Sequence, residues 1–157
     1  MGLYDFSLYD MICRNSKCFA GREAWLDAET GESVTFEAFK PRVDRLAAGL
    51  AGAGIRAGDR IGIIGKNSLS FFTLYGAAAA AGVVVVPINW RLSESEMVFN
   101  LNDCEPRMVF VDLDFASVID AARGKLPTVE RFFNLTASGP LEDFNALLAD
   151  DAPWTAA

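Results

Sequence analysis

Histidine is absent from the 157 residues of this chain. With it go the commonest zinc and iron ligand sets and every Ser-His-Asp or Cys-His arrangement for nucleophilic hydrolysis. Cysteine is sparse and odd in number, at Cys13, Cys18 and Cys104, which fits a reduced, cytoplasmic setting better than a disulfide framework. Cys13 and Cys18 read as small packing residues. Positive charge is also short: 14 Lys and Arg stand against 21 Asp and Glu, a net charge of −7. No basic field is available for nucleic acid or an anionic lipid surface. Neither G-x-G-x-x-G nor G-x-x-x-x-G-K-[ST] occurs, so the dinucleotide and P-loop fingerprints are both missing. Met1 to Asp10 holds two Asp and no basic start before an apolar stretch, so it does not read as a secretory signal. The sequon at Asn134-Leu135-Thr136 is by the same reasoning a chance match.

What is present is an ordinary globular mixture, 52% hydrophobic and 22% charged, in a length that makes one domain. The stretch between Lys66 and Arg91 carries no charge and is long enough to raise a membrane span. Its interior argues otherwise: Gly76 and Gly82 interrupt it, Ala77 to Ala81 is weakly apolar, and Val83 to Val86 is a β-branched block closed by Pro87. A buried helix followed by a buried strand explains it better.

From residue 34 onward, short apolar runs alternate with helical periodicity, the pattern of βα units feeding a parallel sheet. Phe39, Val43, Leu46 and Leu50 share one helix face, and Gly49, Gly52 and Gly54 read as that helix's terminator. Pro41 predicts a start or kink near it. Gly58-Asp59 is a turn, Arg60 to Gly65 a strand, and Leu69 to Ala81 a helix capped by Asn67 or Ser68. Val83 to Ile88 is so dense in valine that it predicts a strand covered on both faces, in the middle of the sheet. Ser93 and Glu96 form a capping box that opens a helix to about Asn102. A strand over Met108 to Val111, a helix over Phe115 to Ala122, a last strand over Arg131 to Leu135 and a last helix over Leu141 to Leu148 follow. Asp150 to Ala157 has no pattern.

An open parallel sheet binds ligands where its strands end at their carboxyl edge. The connections Gly65 to Ser68, Pro87 to Ser93 and Asp112 to Asp114 leave that edge. The first has one glycine and is a weak anion site or a plain surface turn. In the second, Arg91 is placed either to reach a phosphate with its planar fork or to stay solvated at a helix entrance, and Trp90 reads as packing rather than as a stacking platform. Asp112 and Asp114 are too close in one turn to serve as an acid and base pair.

Read in order, Val34-Thr35-Phe36, Arg45-Leu46-Ala47, Gly58-Asp59-Arg60-Ile61-Gly62-Ile63, Asn67-Ser68, the run from Gly76 through Pro87-Ile88-Asn89-Trp90-Arg91-Leu92-Ser93, and Leu101-Asn102-Asp103 through Asp112 resemble the N-terminal region of the adenylate-forming, AMP-binding acyl-CoA synthetases. Pro87 to Leu92 is most similar to the fatty-acyl branch. The resemblance spans residues 8 to 150. It implies an α/β fold, a mostly parallel sheet flanked by helices, with residues 1–157 forming an incomplete part of the family's large N-terminal domain. It also implies an ATP-dependent ligase that joins a carboxylic acid, a fatty acid in this branch, to coenzyme A through an acyl-adenylate, with Mg²⁺ present. The family's phosphate loop, later nucleotide motifs and C-terminal catalytic lysine have no counterpart here, so no catalytic and no metal-ligating residue is expected in this chain. One site residue is carried over: Arg91, as a contact to the coenzyme A nucleotide. Pro41 departs from the family, entering a helix that is normally unbroken.

The expected partner is a small carboxylic acid, with no nucleic acid and no transmembrane segment; a homo-oligomer stays open. Alone, the chain is expected to be inactive. A competing reading from another class is a non-catalytic binding or regulatory partner derived from such a synthetase, motivated by an exposed sheet edge. A nucleotide-dependent oxidoreductase is disfavoured by the absent glycine fingerprint.

Overall fold

A computed structural model describes residues 6–28, 31–136, 139–148 and 154. Helix α1 (Leu8–Cys18) precedes a two-stranded antiparallel ribbon, β1 (Glu23–Leu26) and β2 (Ser33–Thr35). Then come α2 (Phe36–Gly52), β3 (Arg60–Ile64), α3 (Leu69–Ala81), β4 (Val84–Ile88), α4 (Glu94–Cys104), β5 (Met108–Val111), α5 (Leu113–Ala122), β6 (Arg131–Asn134) and β7 (Glu142–Asp143). The larger sheet is parallel throughout, in the order β4-β3-β5-β6-β7. The expected α/β architecture, a parallel sheet flanked by helices, is therefore the fold.

The period-2 alternation of the strands divides the core into two layers. Ile61, Ile63, Met108, Phe110 and Phe133 face α2 and α3, meeting Leu46, Leu50, Leu74 and Ala77. Ile64, Val109, Val111 and Phe132 face α4 and α5, meeting Met97, Leu101, Ala116 and Ile119. Phe110 and Phe133, neighbours on adjacent strands, stack with centroids 5.2 Å apart. Val43, Leu46 and Leu50 are fully buried, and Phe39 partly so. The uncharged stretch resolves into α3 and β4, separated by Gly82 in the left-handed region at φ 67°. Among the described residues no helix is long and apolar enough to cross a membrane.

Several expectations are corrected. The helix carrying Pro41 starts at Phe36, capped by Thr35, and runs through the proline. Pro41 lies on its exposed side, so the missing N–H and the ring fall where neither disturbs the core. Gly49 is no terminator: a Cβ there would lie 1.5 Å from the carbonyl oxygen of Leu147. It lets α2 pack directly against the 3₁₀ turn Phe144–Leu147, while Gly52 and Gly54, at φ 91°, do end the helix. Strand β4 sits at the edge, not in the middle, and Val84 is 48% exposed.

Pro87 already carried that signal. Val84 donates its N–H to Asp59 O on the β3 side, so by alternation Pro87 turns its nitrogen to the free side, where the lost donor costs no ladder bond. The helix expected over Leu141 to Leu148 is instead β7 followed by the 3₁₀ turn, because Leu141 O is held by the buried Asn134 amide at 2.8 Å and Glu142 by Arg131. Asn134 is only 1% exposed, which agrees with a chance sequon. Cys18 is exposed rather than packed, and Cys13 is half-buried. Of residues 150–157 only Trp154 lies among those described, and residues 1–5 of the N-terminal stretch also lie outside them.

Helix α1 and the β1-β2 ribbon had no place in the periodicity argument. Their local signals are present nonetheless: Ser7 and Asp10 form a capping box, and Gly31, at φ 75°, donates to Asp27 O. Helix α1 is fixed to α2 by the Tyr9 hydroxyl, which donates to Asp44 Oδ1 at 2.7 Å, while Lys40 pairs with the other oxygen. That satisfies a carboxylate only 7% exposed. Burial, with Asp44 beside it, pushes the Tyr9 phenol well above its ordinary value.

Candidate functional site

Because the strands run parallel, the segments that follow Ile64, Ile88 and Val111 emerge at the same edge. The fold therefore gathers the connections Gly65 to Ser68, Pro87 to Ser93 and Asp112 to Asp114, as expected, and gathers them around Trp90. The Trp90 ring is half-buried against the layer containing Ile64 and Val111 and lies 5.9 Å from Phe115. Lys66 Nζ is 5.7 Å from its centroid and the Arg91 guanidinium carbon 4.1 Å. Trp90 is thus both a packing residue and a platform, where the residue pattern favoured packing over a platform.

The turn that carries Arg91 is closed locally. Asn89 Oδ1 accepts the Arg91 N–H at 3.0 Å, and Asn89 O accepts the Leu92 N–H at 3.2 Å. Ser93 then enters α4 through its capping box, its N–H on Glu96 at 2.8 Å and its hydroxyl at 2.6 Å. The Ser93 hydroxyl, then its N–H, holds the Glu96 carboxyl below the usual range.

The neighbouring candidates are committed elsewhere. Asp112 caps α5, accepting the Leu113 N–H at 2.8 Å, and lies 3.4 Å from the Lys66 N–H. Asp114 pairs with Lys66 at 2.7 Å. Neither is a free acid or base, in line with turn chemistry. With those carboxylates beside it, Gly65 to Ser68 is not an anion cradle; Ser68, not Asn67, caps α3 by accepting the Phe71 N–H at 3.2 Å. Arg91 is exposed like Lys66 but differs from it in that, among the described residues, no carboxylate pairs with it.

Two of the cavities bear on where a ligand could sit. One of about 240 Å³ opens at the carboxyl edge between Ser68, Asp112, Thr136, Asp27, Glu32 and Arg42. Sequence reasoning missed it, because the ribbon residues that line it are distant in sequence. Its three carboxylates against one guanidinium make it a poor seat for phosphate. Another, about 800 Å³, lies at the opposite edge against Ala51, Arg56, Ala81 and Trp154, away from all three connections. Among the described residues no group of three or more His, Cys, Asp or Glu is placed to hold a metal. The Mg²⁺ implied by the resemblance thus finds no such ligand set among the described residues. For the coenzyme A nucleotide, an exposed guanidinium with no carboxylate partner is a fitting contact.

Comparison with known proteins bears on these features together. The family model for AMP-binding enzymes matches residues 13–153. A long-chain-fatty-acid–CoA ligase of Thermus thermophilus is 30% identical over 138 residues, 87% of this chain and 26% of that protein. Among solved structures, one provisionally assigned as a long-chain-fatty-acid CoA ligase from Rhodopseudomonas palustris superposes with a TM-score of 0.88 at 32% identity, covering 98% of this chain and 39% of that one. The N-terminal domain of FACL13 from Mycobacterium tuberculosis gives 0.78 at 30% identity, over 82% and 33% of the two chains. The chain thus spans about a quarter of the curated Thermus relative.

Proposed function

Since this chain belongs to the AMP-binding enzyme family, matched over residues 13–153, we propose that it is part of an ATP-dependent ligase joining a fatty acid to coenzyme A through an acyl-adenylate. Its fold is that of part of the N-terminal domain of adenylate-forming enzymes. Similarity to long-chain-fatty-acid–CoA ligases of Thermus thermophilus and Mycobacterium tuberculosis supports the fatty-acyl substrate class.

One observation carries the role of these residues within such a ligase: Arg91 stands at the carboxyl edge of the sheet with its guanidinium over Trp90 and, among the described residues, no carboxylate on it. Arg91 contacts a phosphate of the coenzyme A nucleotide. ATP and Mg²⁺ take part in the adenylation step of the complete ligase; among the described residues no group of three or more His, Cys, Asp or Glu is placed to hold the metal. The setting is cytoplasmic, consistent with three free cysteines.

Two assays test this reading. The 157-residue chain should exchange no pyrophosphate into ATP with any carboxylic acid supplied, and it should bind coenzyme A. Exchange by the purified chain would contradict the first expectation, and failure to bind coenzyme A the second.

A second reading is favoured by the free edge of β4, where Val84 is 48% exposed: a non-catalytic binding or regulatory partner of a full-length synthetase. A monomer with no affinity for any synthetase would remove that reading.

A further inference from the structure

We propose that Trp90 is a positioning residue for Arg91: it holds the guanidinium by its flat face and leaves the in-plane N–H donors directed away for an incoming phosphate. The inference rests on the reading of Arg91 as a coenzyme A contact and goes beyond it, because it assigns the orientation of that arginine to a neighbouring side chain.

An arginine can be fixed on a surface in two ways. A carboxylate fixes it through its N–H edge, as Glu130 does for Arg107 with bonds at 2.8 and 3.0 Å. That uses the donors a phosphate would need. An aromatic ring fixes it through its face, and the five donors stay in the guanidinium plane. Arg91 is held in the second way, with its guanidinium carbon 4.1 Å from the Trp90 centroid. Trp90 is itself restrained by the Ile64 and Val111 layer, by Phe115 at 5.9 Å and by the short turn from Asn89.

Lys66 takes no share in this. It lies 5.7 Å from the same ring, but its ammonium is bound to Asp114 at 2.7 Å. The platform therefore presents one cation with its donors open. A further physical consequence is electrostatic: in a chain of net charge −7, an arginine kept off the carboxylates is the form of positive charge that a polyanionic nucleotide can still use.

The test titrates coenzyme A into the full chain and into Trp90→Phe, Trp90→Leu, Arg91→Ala and the Trp90→Leu/Arg91→Ala double variant. Folding of each is followed by circular dichroism and thermal melting. Trp90→Phe, which keeps an aromatic face, should bind within about twofold of the parent, and Trp90→Leu about two- to fivefold more weakly. The double variant should bind no more weakly than Arg91→Ala alone, since the tryptophan acts through the arginine.

A readout without ligand accompanies it. The Arg91 side-chain methylene protons, lying over an indole, should be shifted upfield in the proton NMR spectrum, and the shift should vanish in Trp90→Leu. Three results separate the failures. If Arg91→Ala weakens binding while Trp90→Leu does not, or if the two losses add in the double variant, the positioning role is overturned and the functional reading stands. An absent upfield shift in the parent chain overturns the stack itself. If the folded parent takes up no coenzyme A while the upfield shift is present, the functional reading fails and the stack remains, and Trp90 then positions nothing for that ligand.

Discussion

The two ends of the parallel sheet treat arginine differently. At the amino edge, each of the three central strands enters beside an arginine joined to a carboxylate: Arg60 to Glu105 at 3.4 Å, Arg107 to Asp59 and Glu130 at 2.7 and 2.8 Å, and Arg131 to Glu142 at 2.6 Å. Arg107 also donates to Gly54 O at 2.9 Å, tying β5 to the loop after α2. At the carboxyl edge, Arg91 rests on an aromatic face, as Arg131 also does on Phe133 at 4.6 Å, but among the described residues no carboxylate pairs with Arg91. Charge at the amino edge is spent on holding strands and loops together. At the carboxyl edge the Arg91 guanidinium has no hydrogen-bond or carboxylate partner among the described residues. The same residue type therefore reads as scaffold or as site according to what touches it, which residue identity alone does not reveal.

The largest expected effect lies in the scaffold common to both ends. Phe110→Ala should cost about 3–5 kcal/mol in urea unfolding, through lost burial and a cavity between Phe133 and Phe144. Next comes Gly49→Ala. Helix propensity alone would make it favourable by about 1 kcal/mol. Here the new Cβ meets Leu147 O at 1.5 Å, so the sign should reverse, with destabilisation of about 1–3 kcal/mol. A stabilised variant would show that α2 does not pack on the 3₁₀ turn.

The amino-edge pairs should appear in the pH dependence of the melt. The Arg56 N–H, then Arg107, holds Asp59 below its ordinary value, and Arg107 holds Glu130 below its own. A depressed carboxylate contributes stability that is present above its unfolded pKa, about 4, and is lost as pH falls through the lower folded value. The melting temperature should therefore fall below about pH 4, and less steeply in Asp59→Asn; identical slopes would mean the pair adds nothing. Smaller again, Ser68→Ala removes the α3 cap and should cost about 1 kcal/mol. Smallest in stability is Arg91→Ala, with a melting temperature within about 2 °C of the parent. A large drop there would make Arg91 scaffold like Arg107.

Most of the parallel sheet was legible because its signals are local. Hydrophobic alternation marks β3 and β5, and capping chemistry marks the start of α4 at Ser93 and the turn at Asp112. The resemblance named the right family, which the match over residues 13–153 shows. What escaped depends on contacts distant in sequence. The edge position of β4 is decided by the lack, among the described residues, of a second neighbouring strand, β7 by pairing with β6, and the role of Gly49 by Leu147. Of the candidate site, Arg91 and its neighbours lie at the carboxyl edge of the sheet, where the pattern placed them. The stack on Trp90 was not foreseen, because packing and platform are the same residue type and only the 4.1 Å approach separates them.

The most direct measurement is the coenzyme A-induced shift in melting temperature of the parent chain, Arg91→Ala and, as an amino-edge control, Arg60→Ala. Coenzyme A should raise the melting temperature of the parent and of Arg60→Ala alike and leave Arg91→Ala unmoved. An equal rise in all three, or a rise lost only in Arg60→Ala, would contradict the assignment of the carboxyl edge as the binding end.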